Sequence, residues 1–151
     1  MSILRNEYKI IVKYAILGDG PELSRLKDLV LKFSLQKQVD FIHHDVSSEK
    51  IFKNSSVHIM PTITTPESIE GFGISNVEAA SYGLPCIVSN SGGTPESIGN
   101  NGIIVKEIHS KQLVKTLRHI SIKYKSYSRK SYLFANNFES NKKIKEYLNA
   151  I

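Results

Sequence analysis

Short apolar segments alternate with amphipathic segments along the chain. Five apolar segments rich in β-branched residues predict strands, at residues 9–18, 39–42, 57–60, 86–90 and 102–105. Glycine and proline punctuate them, as in the GDGP sequence that follows the first segment. Strands that are apolar throughout and alternate with helices are typical of a parallel sheet with both faces covered. The pattern therefore predicts an α/β fold with a parallel sheet.

The segments between these strands predict helices. Three are expected over 21–34, 48–55 and 73–82, and two more within 110–151. Pro21 suits the first turn of a helix, Ser48 is expected to cap the second helix, and Gly83 ends the third. Polar loops rich in proline, threonine or glycine are expected over 61–72 and 91–101.

The composition suggests one globular domain. Hydrophobic residues make up 40% of the 151 residues and charged residues 23%, which suffices for a core and excludes a disordered composition. No apolar run approaches the length of a membrane span, and the charged N-terminus does not resemble a signal peptide. Cys86, the single cysteine, is expected to be a small buried hydrophobe. A cytoplasmic location follows.

The positive charge belongs to the C-terminal segment. Residues 106–151 contain 11 Lys and Arg against 3 Asp and Glu, whereas residues 1–105 contain 9 against 11. Attraction to anionic lipid is one explanation and a pair of solvated helices is another. No basic run exceeds three residues and no nucleic-acid motif is present, so we favour solvated helices. Nucleic acid is not an expected partner, and peripheral contact with the inner face of the membrane stays open.

Residues 66–90, PESIEGFGISNVEAASYGLPCIVSN, combine two glutamates with a glycine-rich helix start. Gly71 and Gly73 leave room for a ligand beside the backbone, and the first N–H groups of a helix attract anions such as a diphosphate. Glu78, inside the helix, is suited to accept hydrogen bonds from a vicinal diol such as ribose. Glu70, just before the helix, can accept them from another polyol. A diphosphate between two hydroxyl-bearing groups describes a nucleotide sugar.

Simpler interpretations exist for the same residues. Glu70 can be a helix-start carboxylate that the helix dipole favours, and Glu78 a solvated helix residue. His43, His44 and Asp45 are metal-ligand types in sequence, but adjacent histidines are expected to point in different directions, and no third ligand follows at helical spacing. We therefore predict loop residues there and no metal site.

The ordered motifs resemble the C-terminal, donor-binding domain of the group 1 glycosyl transferases, a large retaining family with the GT-B fold. ILGDGPE looks like that family's strand and turn, and VDFI like the strand before its base-binding loop. Residues 60–98 carry the Glu-seven-Glu motif, the GLPCIVSN strand and the GGTPE loop in order. The resemblance covers about residues 4–148 and implies a Rossmann-like, doubly wound parallel sheet.

The resemblance also implies roles for the matched residues. Glu70 would be catalytic, contacting the donor sugar beside the reacting carbon, and Glu78 would bind the ribose. The diphosphate would lie on the turn of Gly71, Phe72, Gly73 and Ile74, and the base near Ile42, His43 and His44. The implied reaction is retaining transfer from a UDP- or GDP-linked sugar to an acceptor hydroxyl. It would need no metal or other cofactor and would serve the synthesis of polysaccharide, lipopolysaccharide or another glycoconjugate.

The resemblance is incomplete at the N-terminus. The family's domain opens with one more strand and helix, carrying an Arg and a Lys that neutralise the diphosphate, and nothing before Lys9 matches them. We therefore expect a single partial domain over 1–151, with C-terminal helices over 110–151. It would need an N-terminal acceptor domain or a partner chain, self-associate through exposed strand edges and be inactive alone. The alternative is a non-catalytic remnant, or a module that binds a nucleotide or a partner.

Overall fold

A computed structural model of the protein describes residues 1–106 and 109–138. Contacts between residues divide the chain into two compact units, Met1–Asn54 and Ser55–Ile151, each with its own parallel sheet. The α/β fold with parallel strands is therefore confirmed. The single partial domain over 1–151 stays a prediction, and the part of its C-terminal helices beyond residue 138 lies outside the described residues.

The first unit contains a two-stranded parallel sheet. Its elements are α1 (Ser2–Tyr8), β1 (Tyr14–Leu17), α2 (Leu23–Lys32), β2 (Val39–Ile42) and α3 (Ser48–Lys53). The Arg5 guanidinium on α1 donates hydrogen bonds to the carbonyl groups of Phe33 and Ser34, at 3.1 and 2.6 Å. These bonds satisfy carbonyl groups that the end of α2 leaves without helical partners.

Three predicted boundaries in this unit are wrong. The first strand covers only the end of the predicted 9–18, because its ladder begins with Tyr14 opposite Val39 and β2 is only four residues long. Pro21 lies in the turn that precedes α2, not in its first turn. The cap of α3 is Ser47 instead of Ser48, and its side chain makes no capping hydrogen bond.

The second unit contains a three-stranded parallel sheet in the order β3-β4-β5. The strands are β3 (His58–Met60), β4 (Cys86–Ser89) and β5 (Gly102–Val105). The helices are α4 (Ile74–Ser81), α5 (Ser110–Ile122) and α6 (Tyr124–Ala135). Two 3-10 helices, Thr94–Ser97 and Asn136–Phe138, lie in the segments after β4 and α6.

The central strand β4 is buried from end to end, as its sequence predicts. Ile87 packs with Val105 and with Ile120 of α5, whereas the Cys86 thiol faces the Asn76 carbonyl group of α4 at 3.6 Å. Since neighbouring side chains of a strand point to opposite faces, α5 and α4 cover opposite faces of the sheet. Burial raises the pKa of the Cys86 thiol to about 12. The prediction that Cys86 is a buried hydrophobe is therefore confirmed.

Helix α6 packs against the end of α4 and the turn that follows it. The buried Ser131 hydroxyl donates to the Leu84 carbonyl group at 2.9 Å, and the Tyr132 hydroxyl to the Tyr82 carbonyl group at 3.2 Å. These two hydrogen bonds fix the turn from α4 into β4, and with it the position of the helix whose start carries the candidate site.

Candidate functional site

The candidate site lies at the carboxyl ends of β3 and β4. The loop of residues 61–73 leaves β3 and leads into α4, which begins at Ile74 with Gly73 as its N-cap. The helix predicted over 73–82 is thus confirmed to within one residue at each end. Ligands of open parallel sheets bind at this edge.

A tight turn places Glu70 beside the start of α4. Gly73 has a φ of 82°, in the left-handed region that favours glycine, and its N–H donates to the Glu70 carboxylate at 3.0 Å. This bond uses one of the N–H groups expected to bind an anion. The N–H groups of Ile74 and Ser75, in the first turn of α4, still have no partner within the helix. Fewer N–H groups are therefore free to receive an anion than the sequence predicted.

A network of buried polar side chains lies next to this turn and supports it. The Asn76 side-chain amide donates to the Ser97 hydroxyl at 2.7 Å, and that hydroxyl donates to the Thr94 carbonyl group at 2.7 Å. All three residues are fully buried. Sequence reasoning missed them, although Asn76 lies three positions before Ala79 on the buried face of α4.

The glycine pair of residues 92–93 holds the other side of the turn. The Gly93 N–H donates to the Glu70 carbonyl group at 2.8 Å. A Cβ atom at Gly93 would lie 1.9 Å from the Gly71 carbonyl oxygen, so only glycine permits this approach. The contact between the GGTPE loop and Glu70 was not predicted from the sequence.

Phe72 and Glu78 face different surroundings. The half-buried Phe72 ring packs near Phe138, with ring centroids 5.9 Å apart, so the turn contacts the 3-10 helix that follows α6. Glu78 is exposed one helical turn beyond Ile74, whose side chain is 70% exposed. Residues four apart share one face of a helix, so this face of α4 is open to a ligand.

A cavity of about 640 Å³ adjoins the turn. It is lined by residues 61–64 after β3, by residues 89–92 at the end of β4, and by Lys106 and His109 after β5. Hydroxyl groups meet across it, since the Thr64 and Ser91 oxygens are 2.7 Å apart. Sequence reasoning missed Lys106, although the residue directly after a parallel strand lies at the ligand-binding edge.

His58 opens β3 next to α4. Burial lowers the pKa of its imidazole to about 4, and the interaction with the Asn76 side chain opposes that shift only in part. The ring is therefore neutral at physiological pH. It belongs to the support of the site, beside the buried Asn76 amide.

In the first unit, two adjacent histidines and an aspartate from another segment lie together. His43 Nε2 and His44 Nδ1 lie 3.2 and 3.0 Å from the two carboxylate oxygens of Asp19. The expectation that adjacent histidines point in different directions is wrong here, because β2 ends at Ile42 and strand alternation stops with it. The third residue of this cluster, Asp19, follows β1. The carboxyl ends of β1 and β2 adjoin because the two strands pair in parallel.

Comparison with protein families identifies the family of the chain. The model of the family described as glycosyl transferases group 1 matches residues 1–132. The chain belongs to this family. The candidate site residues Glu70 and Glu78 lie within the matched range, as do Gly73 and Gly93.

Individual relatives agree with the family assignment. The gpi3 subunit of phosphatidylinositol N-acetylglucosaminyltransferase from Schizosaccharomyces pombe is 29% identical over 126 residues, covering 82% of this chain and 26% of that protein. The O-antigen biosynthesis glycosyltransferase WclY of Escherichia coli is 34% identical over 87 residues, covering 58% of this chain and 23% of that protein. The chain therefore spans a minority of the length of these relatives.

A solved structure confirms the fold. The pneumococcal O-GlcNAc transferase GtfA, crystallised with UDP and GlcNAc, aligns with a TM-score of 0.78 at 18% identity. The alignment covers 99% of this chain and 30% of that one. The chain therefore has the α/β fold of part of a GT-B glycosyltransferase, as the resemblance implied.

The described helices are all too short or too polar to cross a bilayer.

Proposed function

We propose that this chain is the donor-binding part of a retaining glycosyltransferase. In this proposal it holds a nucleotide-diphosphate sugar while the sugar passes to an acceptor hydroxyl. The observation that carries the proposal is the turn from Glu70 to Gly73, which presents a carboxylate and the start of α4 at one edge of the sheet. The family membership supports it.

In this proposal the diphosphate lies on the start of α4. The backbone of Phe72 and Ile74 and the open space at Gly71 receive it, and the helix dipole favours its charge. Glu70, held by Gly73 and Gly93, contacts the sugar beside its reacting carbon. Two backbone N–H groups hold Glu70, so it is oriented before the donor binds. Such positioning lowers the activation free energy of the transfer.

Glu78 binds the ribose hydroxyls from the exposed face of α4. The segment Ile42, His43 and His44 passes near the base, which is uracil or guanine. No metal or other cofactor takes part in the transfer, since N–H groups and nearby cations such as Lys106 stabilise the departing diphosphate.

The transfer itself belongs to a larger assembly in this proposal. The chain spans 26% and 23% of the length of the two relatives described above, so an acceptor-binding domain or a partner chain completes the enzyme. The chain alone is inactive, and its strand edges lead to self-association. The product is a polysaccharide, lipopolysaccharide or other glycoconjugate, made in the cytoplasm, with peripheral contact to the inner face of the membrane.

The test measures donor binding by calorimetry, using UDP- and GDP-sugars. Glu78→Ala removes a charged acceptor, which typically contributes about 1.5–3 kcal/mol, so we expect the affinity for the preferred donor to fall roughly tenfold to a hundredfold. The control is Glu7→Ala, which removes an exposed glutamate from α1 and should leave the affinity unchanged.

Equal affinity of the wild-type protein and Glu78→Ala would remove the ribose assignment. Tight donor binding without transfer by the complete assembly would instead favour the alternative, a non-catalytic module that binds a nucleotide.

A further inference from the structure

We propose that Asp19, His43 and His44 form a binding site for a divalent transition metal of the zinc class. All three residues lie in the unit Met1–Asn54, at the carboxyl ends of β1 and β2. One ligand atom from each lies within 4.8 Å of the others. The proposed transfer uses no metal, although His43 and His44 also belong to the segment proposed to pass near the base.

The distances suit a metal. His43 Nε2 and His44 Nδ1 lie 3.2 and 3.0 Å from the carboxylate oxygens of Asp19. In a tetrahedral zinc site with bonds of about 2.0–2.1 Å, neighbouring ligand atoms are about 3.3 Å apart. The two measured distances are close to that separation, and all three ligand atoms lie within 4.8 Å of one another, so small side-chain movements are enough to form three protein bonds.

The opposite ring nitrogens explain how the histidines are held. His43 Nδ1 and His44 Nε2 face the two carboxylate oxygens of Asp45, at 3.0 and 3.1 Å. An imidazole that binds a metal through one nitrogen usually donates the N–H of the other to a carboxylate. Asp45 is the carboxylate beside both rings. Its backbone N–H donates to His43 Nδ1 at 3.4 Å, so that nitrogen would exchange this contact for the carboxylate when Nε2 binds an ion.

The same atoms also form a hydrogen bond, since His44 Nδ1 and Asp19 Oδ1 are 3.0 Å apart. A transition metal would replace that bond, because imidazole nitrogen and carboxylate oxygen are suitable ligands for it.

The site joins two strands that share a short ladder. Asp19 follows β1 and the histidines follow β2, and the two strands pair over only four residues. A bound ion would tie their ends together, so its role is structural. The side chains of Asp19, His43 and His44 are 40–62% exposed, which leaves room for water to complete the coordination.

The experiment titrates the full chain with Zn²⁺ by calorimetry and follows thermal unfolding with and without the ion. We expect one ion per chain and a higher unfolding midpoint when Zn²⁺ is present. Asp19→Asn, His43→Ala and His44→Ala should each weaken binding by on the order of tenfold or more. The matched control is His119→Ala, which removes a histidine from α5, and it should bind as the wild type does.

A second measurement does not depend on the variants. Cu²⁺ bound to the wild-type chain should give an electron paramagnetic resonance spectrum with hyperfine structure from two nitrogen ligands. Absence of Zn²⁺ binding to the wild type would overturn the proposal and leave a cluster of hydrogen-bonded ion pairs. Binding that survives in all three site variants would overturn it too, since the ion would then be held elsewhere.

Discussion

Glu70 shows at the scale of one residue how a structural and a ligand-binding role can coincide. Its carboxylate accepts the Gly73 N–H at 3.0 Å, as a helix-start carboxylate does, and its backbone accepts the Gly93 N–H. A carboxylate has about four lone-pair positions, so one hydrogen bond leaves capacity for a sugar hydroxyl. The two interpretations that the sequence left as alternatives are therefore compatible.

The lowered pKa of His58 predicts how the stability of the protein depends on pH. Its folded-state pKa of about 4 lies below the value of about 6.5 in the unfolded chain, so between these values the unfolded chain binds more protons. Stability is therefore expected to fall as the pH drops from 6.5 towards 4, by at most roughly 3 kcal/mol from this group. Urea unfolding across pH 4–8 measures this fall, and His58→Gln should flatten it. An equally steep fall in His58→Gln would show that another group is responsible.

At the scale of elements, the start of α4 depends on the glycine at its N-cap. A Cβ atom at Gly73 would lie 2.8 Å from the Asn76 side-chain nitrogen and 2.9 Å from the Ser97 hydroxyl, and the φ of 82° disfavours any other residue. Gly73→Ala should therefore lower the free energy of unfolding by roughly 2–4 kcal/mol, from backbone strain and overpacking together. Denaturant unfolding measures the change.

Gly71→Ala is the matched control for that substitution. Gly71 lies in the same turn, but a Cβ atom there would meet nothing within 4 Å, and its φ lies outside the left-handed region. Its effect should stay within about 0.5 kcal/mol, the usual range of surface changes. Similar losses for both variants would contradict the account of the turn.

Elements with a strong local signal could be predicted from the sequence. Strand β4 matches its predicted range to within one residue because its apolar run is continuous. Helix α4 also matches to within one residue, because a glycine lies near each of its ends. Strand β1 was predicted too long, since its length is set by its partner β2. The sequence of one segment does not determine the length of the strand that pairs with it more than twenty residues away.

In the candidate site, too, features within one segment could be predicted and contacts between segments could not. The carboxylates of Glu70 and Glu78 could be found because they share one segment with the helix start. The contact of Gly93 with Glu70 and the meeting of Asp19 with the histidines could not, since each joins segments that only the sheet brings together. Spacing rules for a single helix or strand cannot reveal such contacts.

At the scale of the whole molecule, the central claim is that the start of α4 holds a nucleoside diphosphate. The most direct measurement compares the affinities of the protein for UDP and uridine, and for GDP and guanosine, by calorimetry. We expect one diphosphate to bind at least about tenfold more tightly than its nucleoside, because charged hydrogen bonds contribute about 1.5–3 kcal/mol. Diphosphates that bind no more tightly than their nucleosides would contradict the account.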